Sequence, residues 1–161
     1  MDTTLATNAV VEGHGHVERA ATYHWNGDTI TVGRAEIPST RYYAAWASGP
    51  DDLWAVGGKG GGEAGPVGPL ILHGRGQPVV WENVSTGLMA PSMLLYGVWG
   101  SGPQDLWIVG GNGTVLHGGP AGFQAVPSAT NETLTAVWGR SARELWIVGT
   151  NGTVLRGDGT T

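Results

Sequence analysis

The sequence predicts an all-β fold, a β-propeller of four-stranded antiparallel blades with about three blades and a partial one. Three observations carry that prediction. A tryptophan-bearing unit recurs at Tyr43 to Gly57, Tyr96 to Gly110 and Thr135 to Gly149, each time closing on Leu-Trp-x-Val-Gly. Its Leu-Trp-Ile-Val run does not alternate apolar with polar, so both faces of that strand need protein cover. Asn112-Gly113 and Asn151-Gly152 separate β-rich apolar runs, a strong hairpin signal because both residue types tolerate positive φ. Units of about 40 residues that cannot bury their faces alone must stack on neighbours, which is the logic of a propeller.

The register follows from the tryptophans. Trp46, Trp99 and Trp138 head the units, and Trp54, Trp107 and Trp146 follow eight residues later in each. The second and third units are 39 residues apart by this measure and the first and second 53. The excess falls in two loops, the Gly-rich run Gly57 to Pro69 and a shorter stretch around Leu88 to Met93.

Taken in order, residues 1–20 form an N-terminal segment that aligns with no unit. Residues 21–40 read as a partial blade: Tyr23-His24-Trp25-Asn26-Gly27 resembles Leu72-His73-Gly74 and Leu116-His117-Gly118, and Ile37-Pro38-Ser39 lines up with Val126-Pro127-Ser128. Blades then span 41–93, 94–133 and 134–161. The middle blade shows one period in full, with strand a at Leu95 to Trp99, b at Asp105 to Gly110, c at Thr114 to His117 and d at Phe123 to Val126. The last blade lacks its outer strand d. Either the chain is a piece of a longer propeller, the reading preferred here, or copies share one ring by exchanging a terminal strand. In both cases a solitary copy exposes a blade face of Trp, Leu and Val and is prone to self-association through exposed blade edges.

Composition excludes several function classes. The 161 residues include 29 Gly and only 13% charged side chains, which suits short strands and tight turns better than long helices. A formal net charge of -5, with Lys59 and seven scattered Arg, offers no concentrated basic surface for nucleic acid. No segment has the apolar length of a membrane span, and the start Met1-Asp2-Thr3-Thr4-Leu5 lacks the features of a signal peptide. Without cysteine, neither a disulfide framework nor a thiolate metal site can form.

The candidate chemistry is thin. The six repeated tryptophans sit among apolar strand neighbours and read as core. Trp25, Trp81, Tyr43 and Tyr96 fall near strand ends or outside the strictest repeat positions and are the candidate ligand contacts. His14 and His16 have the i, i+2 spacing of a metal pair on one strand face, but with no identifiable third ligand no metal is assigned. No cofactor is expected. Asp52, Asp105 and Glu144 precede Leu-Trp in each unit, so they read as turn residues accepting backbone N–H groups. A polar residue closing strand c accounts for His73, His117 and Arg156. Neither a P-loop ending nor a nucleophile elbow is present, and no His–Asp partnership can be assigned by spacing.

At Val137-Trp138-Gly139, Leu145-Trp146-Ile147-Val148-Gly149 and Asn151 to Gly159 the chain resembles repeats of bacterial propeller proteins, many from myxobacteria. These are similar to Asp-box (BNR-like) and photosystem II assembly-factor-like propellers. The resemblance runs from about Thr22 to the C-terminus and implies fold alone. It implies a blade in which a Trp follows the Asp-Gly turn, a place that Trp81 or Phe123 holds here. No unit carries a full Ser-x-Asp-x-Gly-x-x-Trp, and no sialidase set of Arg, Tyr and Asp transfers. An extracellular or cell-surface address is suggested by the resemblance only. The expectation is a non-catalytic scaffold that binds a protein or glycan partner through loops on one face. The alternatives are a multivalent carbohydrate-binding lectin assembled from several copies, and a fragment of a propeller hydrolase or lyase whose catalytic residues lie outside this chain.

Overall fold

The computed structural model describes residues 20–25, 30–35, 40–59, 68–76, 79–84 and 93–158. Thirteen strands among them form four antiparallel sheets. A hairpin of β1 (Ala20–Trp25) and β2 (Ile30–Ala35) stands first. The first full blade is β3 (Thr40–Gly49), β4 (Asp52–Lys59), β5 (Gly68–Arg75) and β6 (Val80–Asn83), hydrogen-bonded in that order. The second repeats it as β7 (Leu95–Gly102), β8 (Asp105–Gly110), β9 (Val115–Gly119) and β10 (Gly122–Ala125). The third has β11 (Leu134–Ser141), β12 (Glu144–Gly149) and β13 (Val154–Gly157). Four-stranded antiparallel blades packed in series are those of a partial β-propeller, as the repeat predicts. Among the described residues no helix is long and apolar enough to cross a membrane.

The register repeats residue for residue. Trp46 pairs Trp54, Trp99 pairs Trp107 and Trp138 pairs Trp146 across the a–b ladder of each blade. The Asn-Gly turns behave as their chemistry dictates: Asn112 (φ 53) and Gly113 (φ 64) join β8 to β9, and Asn151 (φ 52) and Gly152 (φ 72) join β12 to β13. Each inner strand carries two bulges, and the residues left without a ladder partner are Tyr43 and Ser48 in β3, Tyr96 and Ser101 in β7, Thr135 and Arg140 in β11.

The core lies between blades. Trp54, Val56 and Ile71 of the first blade meet Leu95, Val98, Leu106, Ile108 and Leu116 of the second. Trp107, Val109 and Val115 of the second meet Leu134, Val137, Leu145 and Ile147 of the third in the same way. Both faces of β8 are therefore dry, and its residues from Leu106 to Gly110 are all buried. The third blade differs. Its rear face is covered, but its forward face leaves Trp138 60% and Trp146 40% exposed, so these two repeated tryptophans do not form core here. The outer strand that the third blade lacks is not supplied by the N-terminal hairpin, because β1 and β2 form a sheet of their own and the third blade's sheet ends at β13.

Candidate functional site

The strands β3, β7 and β11 approach one another most closely and mark the inner edge of the blades. At their start the bulges turn Tyr43 and Tyr96 out of the ladder, and the two rings meet with centroids 5.0 Å apart at 56°. Tyr43 remains 42% exposed. A tilted aromatic pair of this kind contributes on the order of 0.5–1.5 kcal/mol beyond its buried area and holds both rings in a fixed pose. Thr135 takes the same bulge position in the third blade, where its hydroxyl donates to the Val148 carbonyl at 3.3 Å.

The same end of the blades carries the linkers and the b–c turns, and hydrogen bonds join them. The Gly113 amide donates to the Glu132 carbonyl at 2.8 Å, and the Ser128 hydroxyl donates to the Gly113 carbonyl at 2.6 Å. The Glu132 carboxylate accepts from the Thr150 hydroxyl at 2.7 Å and from Asn151 Nδ2 at 2.8 Å. The linker of the second blade is thus stitched to the hairpins of the second and third. In the first blade the corresponding b–c connection is the Gly-rich insertion, of which residues 60–67 lie outside the described residues. The ends of the run expected as loop are strand: Gly57, Gly58 and Lys59 pair Leu70, Pro69 and Gly68, so β4 continues past the Tyr43 bulge to Lys59, opposite Thr40.

The opposite end holds an arrangement that the sequence did not reveal. In the first blade Ser48 donates to Asp52, and His73 Nε2 donates to the other carboxylate oxygen at 2.6 Å. The imidazole lies flat on Trp54, centroids 3.9 Å apart at 15°. Its remaining nitrogen accepts from Arg75 Nε at 3.2 Å, which assigns the Nε2–H tautomer. The second blade repeats the set with Ser101, Asp105, His117 and Trp107, the His–Asp distance again 2.6 Å and the rings 4.1 Å apart at 12°.

These acids therefore bond to side chains, where turn chemistry with backbone amides was expected. The histidines, too, do more than close a strand. Burial raises the Asp105 pKa, but hydrogen bonds from Ser101 and His117 and the nearby imidazole charge outweigh it and hold the carboxyl below its usual value. In the third blade Glu144 and Arg156 replace Asp and His, and Arg156 lies over Trp146 at 5.7 Å from the ring centroid. The pairing could have been found in the sequence from its substitution pattern: where a unit has Asp it has His, and where it has Glu it has Arg.

Serine, aspartate and histidine together suggest a nucleophile at first sight. The order excludes that role. A charge-relay set places His between Ser and Asp so that it can take the serine proton, whereas here Asp stands between Ser and His and both are bound to the carboxylate. The indole N–H of Trp54 is buried without a hydrogen-bond partner among the described residues, whereas that of Trp107 is directed to Asp105 and adds to the groups that hold its carboxyl down. The set is a brace that ties the a–b turn to strand c.

Of the four candidate contact residues, the structure unites Tyr43 and Tyr96. Trp81 lies on the outermost strand β6, packed near Ala55, Leu70 and Leu72, with its ring where a side chain at Gly74 would stand. Trp25 closes β1, and its side chain is outside the described residues, as are His14 and His16 entirely. Among the described residues no group of three His, Asp or Glu could hold a metal ion.

No protein-family model matches the sequence, and no curated protein matches it. Solved structures do. One titled as YCF48 bound to D1 peptide is 21% identical, with TM-score 0.64 over 86% of this chain and 44% of its own. YCF48 from Cyanidioschyzon merolae is 12% identical, with TM-score 0.63 over 98% of this chain and 51% of its own. YCF48 is a photosystem II assembly-factor β-propeller. The likeness establishes the propeller fold, and the chain spans about half the length of the structures it matches.

Proposed function

We propose that this chain is a non-catalytic propeller module that binds a protein partner, and that the partner contacts the linker end of the blades at Tyr43 and Tyr96. The carrying observation is the pair itself: two aromatic rings turned out of the inner strands by bulges, locked against each other, one of them 42% exposed. Rigid aromatic anchors beside polar linkers have the character of a protein-recognition surface. One solved structure with this fold is a complex with a peptide, which supports a peptide segment as the ligand class. The brace at the other end, with its carboxylate between Ser and His, supports a non-catalytic reading.

The glycan reading gains less. Trp81 is packed on its own blade, and the Tyr rings are inclined to each other at 56°, which gives no flat platform for a sugar face. A peptide array probed with the full chain, followed by calorimetry on the peptides retained, tests the proposal. Tyr96→Ala and Tyr43→Ala are each expected to weaken a retained peptide by at least about tenfold, the size of a modest anchor residue. An array without retained peptides, or equal affinity for both variants and the parent, sinks it.

A further inference from the structure

The forward face of the third blade is uncovered, and the chain itself shows what covers such a face. Trp138, Trp146, Val148 and Val154 occupy the repeat positions of Trp99, Trp107, Val109 and Val115 in the second blade and of Trp46, Trp54, Val56 and Ile71 in the first. In both earlier blades these residues pack on the rear face of the next blade, against Leu, Val and Ile side chains. The inner tryptophan also needs a glycine. A Cβ at Gly100 would stand 2.8 Å from the Trp46 ring, and one at Gly139 would stand 2.6 Å from the Trp99 ring. Each ring lies where the next blade has no side chain, directly after that blade's own first tryptophan.

We infer that the third blade's forward face docks a further blade of this repeat type, distinct from the three described blades, whose first strand carries glycine after its leading Trp. A second copy does not fit. In a second copy the rear faces of the second and third blades are already occupied by the blades before them. Among the described three- and four-stranded blades, that leaves the rear face of the first, whose β3 lies beside β1, and there Ala47 stands where Gly100 and Gly139 admit the ring. That rear face also substitutes Ala45 for Val98 and Ala55 for Ile108, so it presents less apolar volume to the incoming tryptophans, and Ala55 and Leu72 are already buried. The alanines therefore make the first blade a poor acceptor, while the third remains a competent donor.

The test compares Trp99→Ser with Trp138→Ser in the full chain, and then in a chain lengthened by a second copy of residues 119–157 placed after Gly157. That extension supplies an outer strand for the third blade and a new blade bearing the glycine of Gly139. In the parent chain Trp99→Ser lowers Tm by several degrees, about 4 °C or more, and Trp138→Ser by about 1 °C or less. In the extended chain the two substitutions cost the same, and tryptophan emission moves to the blue as Trp138 and Trp146 leave water. The extended chain with alanine at the new blade's copy of position 139 loses that shift. If Trp138→Ser already costs the parent chain as much as Trp99→Ser, with the parent sedimenting as a dimer, the occupant is a second copy and the inference is wrong. An extended chain that matches the parent's circular dichroism per residue yet keeps solvent-quenched Trp138 also overturns it. Should the extended chain fail to fold, the blade of 119–157 expressed with the preceding blade and added in trans gives the same emission readout.

Discussion

The second and third blades differ in environment far more than in sequence. Leu106 to Gly110 and Leu145 to Gly149 are the same five residues, Leu-Trp-Ile-Val-Gly, in the same register against the same partner strand. In the second blade all five are buried, whereas in the third Trp146 is 40% and Val148 42% exposed. Secondary structure is therefore set within the blade, by the strand pattern, the Asn-Gly turns and the a–b ladder. Burial is set between blades, by whatever lies across the forward face. Most of a tryptophan's contribution in this architecture belongs to its neighbour.

The sharpest way to break the comparison is to truncate the equivalent tryptophans. Trp107→Ala removes a buried indole that packs on Leu134, Val137 and Leu145, and should cost about 3–5 kcal/mol. Trp146→Ala removes a ring open to water on one side and should cost under about 1 kcal/mol. Urea denaturation of both variants checks this through the midpoint, with the slope confirming that the unfolded ensemble is unchanged. Equal losses would mean that the two faces are equally covered in solution.

A smaller effect is expected at the contact between blades. Gly139→Ala puts a methyl group 2.6 Å from the Trp99 ring and 2.8 Å from Leu145 Cδ2, an overpacking that should cost about 1–3 kcal/mol. If the collision with Trp99 is the cause, Trp99→Leu should recover part of the loss in the double variant, so that the two changes couple rather than add. Additive losses would place the strain within the third blade, against Leu145.

Much of this fold was legible because its signals are local. Strand b of the middle blade spans Asp105 to Gly110 as the sequence implies, since the Leu-Trp-Ile-Val run and the flanking turns are both explicit. Strand a runs three residues further than its apolar pattern, to Gly102, because the bulge at Ser101 carries pairing through Gly-Ser-Gly with no alternation to announce it. Strand c begins at Val115, one residue later than expected, because the Thr114 amide is held in the turn by the Gly111 carbonyl. The outer strand starts at Gly122, whose φ of 131 admits it to the ladder opposite Gly119.

The site was harder to read. Tyr43 and Tyr96 were singled out for their place in the repeat, but their contact depends on two bulges in different blades. The Asp–His brace was hidden because its partners are 21 residues apart in one blade and 12 in the next, the insertion having altered the spacing. Distance along the chain carried no signal. The covariation of Asp with His and of Glu with Arg across the units did.

That brace also makes stability depend on pH through Asp105, and gives the smallest of the expected effects. The Asp105 carboxyl is held below 3.8 by Ser101 and His117 against the opposing push of burial. A depressed carboxyl stabilises the fold at pH values well above 3.8 and ceases to do so as pH falls through its lower folded value. Asp105→Asn should therefore be less stable than the parent near pH 6, and the gap should close as pH falls below 3.8. Because the carboxylate is partly open to solvent, the gap is discounted to no more than about 1 kcal/mol. Urea midpoints of parent and variant between pH 6 and about pH 3 supply the measurement. A gap that stays constant over that range would assign the brace to the shape of the side chain, with Ser101 and His117 holding an amide as well as they hold the carboxylate.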